Sequence, residues 1–139
     1  MPKRFPEVSV SMKKTTLNGT VFHGQGEGKK FLELPWVKQQ IEAKLGFTLY
    51  PGTLNILLSE ESANRRKLLE TAHSVKVCPA EGYCDGAIYS AFIGDLRCAI
   101  VIPEVKDYPR NILEVIAPEN LREKLHLKDG DEIAVTVNL

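Results

Sequence analysis

The fold of this chain is decided at Pro51-Gly52-Thr53-Leu54-Asn55-Ile56-Leu57-Leu58, where a Pro-Gly turn leads into a short alternating segment. Alternate residues of a β-strand point to opposite faces, so Leu54, Ile56 and Leu58 form the face that a core would bury. Thr53 and Asn55 then lie side by side on the other face. The segment therefore predicts a strand that turns a neutral polar pair away from the core.

Thr53 and Asn55 offer two neutral oxygens. Magnesium binds oxygen and usually takes few protein ligands, because waters or substrate phosphates fill its remaining positions. The pair is therefore compatible with a magnesium site that also holds phosphate oxygens. The alternative is an edge strand whose Thr53 and Asn55 face water, since both residue types are common at turns and strand ends. This segment alone leaves both interpretations open.

A glycine-rich segment at residues 23–31 has glycines at alternate positions and a lysine pair behind them. Glycine lets the backbone approach a ligand closely, so successive N–H groups can surround an anion while a lysine adds charge. The Rossmann fingerprint would need a glycine in place of Lys29. The P-loop would need a glycine in place of His23 and a Ser or Thr in place of Lys30. The segment therefore predicts either an anion-binding loop of another kind or a flexible hairpin.

The rest of the chain indicates short strands joined by turns. Strands are predicted at residues 17–22, 87–93 and 96–102, and a last strand alternates Ile133, Val135 and Val137. Gly94-Asp95 and Asp129-Gly130 are the turns that precede two of them. This pattern predicts a small, mainly β barrel.

Two helices are predicted. Pro35 begins the first, in which Leu34, Val37, Ile41 and Leu45 recur at spacings of three and four before Gly46 ends it. Pro118 is expected at the first position of a short second helix that contains Leu121 and Leu125. Residues 60–70 are either a loop or a short surface helix.

Length and composition predict one cytoplasmic domain. The 139 residues include 18 basic and 18 acidic side chains, so net charge gives no reason to expect nucleic acid or an anionic membrane as partner. No apolar run reaches the roughly 18 residues that cross a bilayer. Residues 1–14 are expected to be a partly disordered extension and residues 15–139 the barrel domain. Reduced thiols are the expected state of Cys78, Cys84 and Cys98.

Three blocks of sequence follow one another over most of the chain. The first two are Gly24-x-Gly26-Glu27-Gly28 with Phe31, and Leu45-Gly46-Phe47 with Tyr50-Pro51-Gly52-Thr53-Leu54-Asn55. The third contains Glu114-Val115-Ile116-Ala117-Pro118, Leu121-Arg122 and Leu127-Lys128-Asp129-Gly130-Asp131. In content and order they resemble the CTP-dependent riboflavin kinases of archaea, from about Thr20 to Val137.

This resemblance implies a six-stranded cradle-loop barrel with two short helices, which phosphorylates riboflavin to FMN while CTP becomes CDP. It implies that Thr53 and Asn55 bind Mg²⁺, and that Glu114 contacts the flavin and acts as general base. The implied nucleotide-binding residues are Gly24, Gln25, Gly26, Glu27, Gly28, Lys29, Glu119, Asn120, Leu121 and Arg122. We expect a monomer.

Several alternatives remain open at this stage. Glu114 lies among apolar residues, so it is either the outward residue of a strand or a functional group. Arg122 could instead pair with Glu119 or Glu123 on its own helix. Lys106 stands where the family has a small hydroxyl residue for flavin contact, so it is carried over as a flavin contact only weakly. The rival functions are a non-catalytic flavin or nucleotide binder and a ligand-sensing regulatory module.

Overall fold

The strands of this computed structural model form a barrel. The structure describes residues 14–24, 30, 32–72, 74–78, 86–104 and 108–139. Seven antiparallel strands lie within these ranges: β1 (Lys14–Phe22), β2 (Leu54–Leu58), β3 (Val75–Val77), β4 (Gly86–Ile93), β5 (Leu96–Pro103), β6 (Ile112–Ile116) and β7 (Glu132–Asn138). Their order is β3-β4-β5-β6-β2-β1-β7, and β7 also pairs with β4. Six strands therefore close on themselves, which confirms the predicted barrel, and β3 extends the sheet beyond β4.

The barrel is filled from the alternating face of each strand. Leu54, Ile56 and Leu58 of β2 are buried in this interior, as their spacing predicts. Equivalent side chains from the other five barrel strands meet them there, among them Leu17, Ala91, Ile100, Leu113 and Val135. Burying one Leu, Ile or Val contributes about 1.5–3 kcal/mol, so the interior positions dominate the stability of the barrel.

A second apolar layer covers the outer wall of the barrel. The helix α1 (Pro35–Leu45) packs Val37, Ile41 and Leu45 against outward-facing residues of β3, β4 and β5. Its beginning and end are those predicted. Proline suits the first turn because its missing N–H has no helical partner there, and Gly46 ends the helix at φ 79°, a conformation that glycine adopts without strain.

Residues 60–70 are helical. The helix α2 (Glu60–Arg65) begins after Ser59, whose hydroxyl accepts a hydrogen bond from Ser62 N at 3.2 Å. A 3₁₀ helix (Arg66–Thr71) continues it. None of the helices in the described parts of the chain is long and apolar enough to cross a membrane.

The position predicted for Pro118 is wrong. The helix α3 spans Leu121–Lys124, with Asn120 as its N-cap and Leu125 after its last residue. The Asn120 side chain accepts a hydrogen bond from Glu123 N at 3.3 Å, which satisfies a backbone donor at the start of the helix. The helices at Pro35–Leu45 and Leu121–Lys124 thus correspond to the two that were predicted, and the segment at residues 60–70, for which a loop and a helix were both open, adds the helix Glu60–Arg65.

The cysteines differ from the sequence expectation in one respect. Cys98 is a free, buried thiol, and burial raises its pKa to about 12. Cys78 is disulfide-bonded, so the expectation of reduced thiols is wrong for this residue. Cys84 lies outside the described residues, as do residues 1–13, and the expected disorder at the N-terminus remains a prediction.

Candidate active site

Glu114 is a buried carboxylate on the outer wall of the barrel. Its neighbours in β6, Leu113 and Val115, face the interior, so Glu114 points outward. Only 4% of its surface is exposed. The strand register places it directly opposite Asn55 of β2. Glu114 is thus the outward residue of its strand and yet is buried, and a carboxylate is rarely buried unless partners compensate the loss of water.

Two hydroxyl groups supply that compensation. Thr53 Oγ1 donates to Oε1 of Glu114 at 3.3 Å, and the phenol of Tyr108 donates to Oε2 at 2.5 Å. Each carboxylate oxygen has lone-pair capacity for one further hydrogen bond. The structure thus brings together Thr53, Asn55 and Glu114. Tyr108 was missed, because its position six residues before Glu114 forms no recognisable spacing.

Gly24 lies against the polar pair. A Cβ atom built on Gly24 would be 2.6 Å from both Cγ and Oδ1 of Asn55, closer than any real side chain could stand. The close approach of the Asn55 side chain favours glycine here, and backbone conformation is not the reason, since Gly24 is absent from the residues with positive φ. The first glycine of the predicted loop therefore lies against Asn55, one of the two predicted metal ligands. Gln25, Gly26, Glu27, Gly28 and Lys29 lie outside the described residues, so their role stays a prediction.

A cavity of about 190 Å³ lies between the segment predicted to bind the metal and the second segment predicted to bind the nucleotide. One wall is the turn at residues 50–54, which includes Thr53, and the other is Glu119, Asn120, Leu121 and Arg122. Tyr50 N donates to Ala117 O at 2.9 Å, and Asn120 Nδ2 donates to the Tyr50 hydroxyl at 2.9 Å. The Leu121 side chain belongs to the barrel interior. The polar character of this wall therefore comes from Asn120, Glu119 and Arg122.

Arg122 pairs with a residue outside its own helix. Its Nη2 donates to Asp129 Oδ1 at 2.7 Å and to Phe22 O at 3.2 Å. Glu119 instead pairs with Lys124 at 3.5 Å. The predicted alternative, in which Arg122 pairs with Glu119 or Glu123, is therefore wrong. The contacts place the guanidinium between the end of β1 and the turn before β7.

Asp129 is the centre of a small charged cluster that also includes His23. The carboxylate accepts from Arg122 and, at 2.5 Å, contacts Nδ1 of His23. The hydrogen bond from Arg122, followed by that from His23, lowers the pKa of Asp129. His23 directly precedes Gly24, so the cluster connects the start of the glycine-rich loop to the cavity wall. The sequence gives no sign of this contact, because His23 and Asp129 lie 106 residues apart.

The residues around this site match a known family. A family model named for CTP-dependent riboflavin kinases, and described as a domain of unknown function (DUF120), matches residues 21–137. The chain belongs to this family. The buried Glu114, the pair Thr53 and Asn55, and the cavity of this family member all lie within the matched range. Lys106, the weakest of the carried-over flavin contacts, lies outside the described residues.

Curated riboflavin kinases of archaea are similar to most of the chain. The riboflavin kinase of Methanosarcina barkeri is 40% identical over 126 residues, which cover 86% of this chain and 55% of the relative. The riboflavin kinase of Methanospirillum hungatei is 41% identical, and the match covers 91% of this chain and 59% of the relative. The riboflavin kinase of Saccharolobus solfataricus is 40% identical, and the match covers 92% of this chain and 77% of the relative. This family member thus spans little more than half the length of the first two relatives.

Proposed function

We propose that this chain phosphorylates riboflavin to FMN, with CTP as the phosphoryl donor and Mg²⁺ as the metal. The observation that carries the proposal is the buried Glu114 carboxylate, hydrogen-bonded to Thr53 and paired across the strands with Asn55. A non-catalytic flavin binder would have no use for a shielded carboxylate beside two oxygen ligands. The family name supports CTP, and the names of the relatives support riboflavin.

Glu114 would act on the acceptor hydroxyl. Phosphoryl transfer depends mainly on positioning and on neutralising charge, and the protein also orients the nucleophile. The 5′-hydroxyl of riboflavin donates a hydrogen bond to Glu114 and passes its proton to it as the new O–P bond forms at the γ-phosphorus. The bond from that phosphorus to the β–γ bridging oxygen breaks, and CDP leaves. Thr53 and Tyr108 restrain the carboxylate during this step.

Thr53 and Asn55 would hold Mg²⁺, and the available groups suit that ion. Both side chains would offer an oxygen atom to the ion. Thr53 Oγ1 keeps its lone pairs for this purpose, because the hydroxyl donates a hydrogen bond to Glu114. No group of three His, Cys, Asp or Glu side chains in the described ranges could bind a metal ion instead. When bound, magnesium neutralises charge on the phosphates.

The cavity wall would bind the nucleotide. Arg122 is held in place by Asp129 and Phe22, so its guanidinium is oriented before a ligand arrives. A guanidinium has five N–H donors, and those not used in these contacts suit phosphate oxygens or a base carbonyl. Asn120 adds a side-chain amide on the same wall. In this proposal the donor would lie next to Thr53 and the acceptor next to Glu114.

The test of this function is a comparison of four donors. We expect FMN when riboflavin and Mg²⁺ are incubated with CTP, and much less with ATP, GTP or UTP, because the cavity wall would select the base. Chromatography with fluorescence detection measures the product. FMN made chiefly from ATP would refute the choice of donor. No FMN from any donor, together with riboflavin binding, would favour the non-catalytic binder.

Gly24→Ala is expected to reduce the rate of FMN formation by about tenfold or more while the protein stays folded, since displacing a catalytic or ligand group by a fraction of an ångström is costly. The new methyl group would push the Asn55 carboxamide aside, because that flexible side chain is the nearest obstacle. Steady-state assays over a range of Mg²⁺ concentrations measure the effect.

Gly19→Ala is the contrasting control. A Cβ there would lie 2.3 Å from the backbone oxygen of Leu57, which cannot move without disturbing the β1–β2 ladder. This variant should lose thermal stability, whereas Gly24→Ala should lose activity. The opposite pattern would show that Gly24 serves the fold and not the site.

A further inference from the structure

Tyr108 makes the shorter of the two hydrogen bonds to Glu114. Its phenol lies 2.5 Å from Oε2, whereas the Thr53 hydroxyl lies 3.3 Å from Oε1. A short hydrogen bond to an ionised carboxylate is stronger than a long one. The orientation of the Glu114 carboxylate therefore depends more on Tyr108 than on Thr53. Tyr108 lies in an irregular segment just before β6, so no strand register fixes its own position.

Arg66 fixes that segment in two ways. Its guanidinium lies over the Tyr108 ring, 5.6 Å from the centroid, and its Nη1 donates to Pro109 O at 2.8 Å. A planar guanidinium can stack on a ring and donate in its own plane at once, which an ammonium group cannot do. Arg66 is the first residue of the 3₁₀ helix (Arg66–Thr71), which is anchored through α2 to the barrel. Burial also lowers the pKa of Arg66.

We propose that Tyr108 is a positioning residue that holds the Glu114 carboxylate toward the acceptor hydroxyl, and that Arg66 holds Tyr108 in turn. The inference rests on the proposed function, in which Glu114 receives the riboflavin proton. Arg66, Tyr108 and Glu114 form one chain of contacts from the 3₁₀ helix to the reacting group. The helical segment at residues 60–71 thereby contributes to catalysis.

Tyr108→Phe tests the first contact. The variant keeps the ring under Arg66 but lacks the hydroxyl, so kcat should fall by about ten- to a hundredfold, the range expected when a catalytic group is misplaced. The KM for CTP should stay unchanged because Tyr108 does not line the cavity with Arg122. In a Glu114→Gln background the same change should cost almost nothing further, since residues that act as a unit are not additive.

Arg66→Met tests the second contact. It should reproduce the kcat loss of Tyr108→Phe, and Arg66→Lys should restore only part of the activity, because lysine cannot both stack and donate to Pro109 O. Arg110→Met is the matched control. Arg110 lines the same surface hollow as Arg66 and Tyr108 but donates to Asn64 Oδ1, so its loss should leave kcat unchanged.

A spectroscopic measurement separates this inference from the proposed function. In protein labelled with ¹³C at the glutamate carboxyl carbon, the Glu114 signal is the one lost in Glu114→Gln. It should shift in Tyr108→Phe and Arg66→Met and stay in place in Arg110→Met, whether or not the protein makes FMN. An unmoved signal in Tyr108→Phe would overturn the proposed positioning. So would a full, independent kcat loss from Tyr108→Phe in the Glu114→Gln background, because Tyr108 would then act on the substrate directly.

Discussion

Asn55→Leu is expected to reduce the rate of FMN formation by at least about a hundredfold. Replacing a residue that only hydrogen-bonds to a metal ligand typically costs about 10–100-fold in activity or metal affinity, and losing a ligand itself should cost no less. Leucine has the same number of side-chain heavy atoms as asparagine, with the same branching, but offers no oxygen. The thermal midpoint should change little, since Asn55 points away from the barrel interior and is only partly buried. Activity assays at saturating and limiting Mg²⁺, with a thermal melt of each variant, measure both quantities.

Asn18→Leu is the matched control for that substitution. Asn18 is also a strand asparagine, but its side chain is exposed on β1, away from Gly24 and Thr53. This variant should keep the activity of the unmodified protein. If Asn55→Leu is also fully active at limiting Mg²⁺, Asn55 is not a metal ligand, and Thr53 and Asn55 are ordinary outward-facing residues of the barrel wall.

Glu114→Gln is expected to bind riboflavin nearly as well as the unmodified protein while its catalytic rate falls by at least about a hundredfold, within the usual range for a general base. The fold should survive. The glutamine oxygen can accept from Tyr108, and its amide can donate to the Thr53 hydroxyl, so neither neighbour is left without a partner. Titration of flavin fluorescence and single-turnover FMN formation measure binding and chemistry separately.

Each outcome at Glu114 has a distinct meaning. Lost riboflavin binding would make the carboxylate a recognition group. A rate loss below about tenfold with intact binding would indicate a loose transition state that needs little help from a base. Unchanged riboflavin binding and an unchanged catalytic rate would show that Glu114 is a buried carboxylate with a structural role only.

Most of the barrel could be predicted because its determinants are local. The alternation of Leu54, Ile56 and Leu58 and the turn at Gly94-Asp95 act within a few residues, and the structure has them as expected. Pro118 misled the prediction because two local signals compete in that segment. Asn120 can satisfy a backbone donor of the helix with its side chain, which proline cannot do, so the helix begins after Asn120.

The candidate site was predictable only where a motif marks it. Thr53, Asn55 and Glu114 were singled out by two motifs, and the strand register then explains why Asn55 and Glu114 meet. Tyr108 and Asp129 act through contacts that reach across loops, and such contacts leave no periodic trace in the sequence. The buried state of Glu114 could not be predicted either, because a strand residue that faces out of a barrel can be covered or open to water, depending on loops elsewhere.

The closure of the barrel by its first and last strands determines the order in which the molecule can assemble. β1 pairs with β7 from Lys14 opposite Asn138 to Thr20 opposite Glu132, and β7 also meets β4. Contacts between residues so distant in sequence form slowly, because a long loop must close before they contribute any stability. The wall made by β2 and β6 can pair earlier. During synthesis, until β7 has left the ribosome, the strands that pair with it, β1 and β4, each have an unpaired edge. Aggregation competes most strongly with folding in this interval.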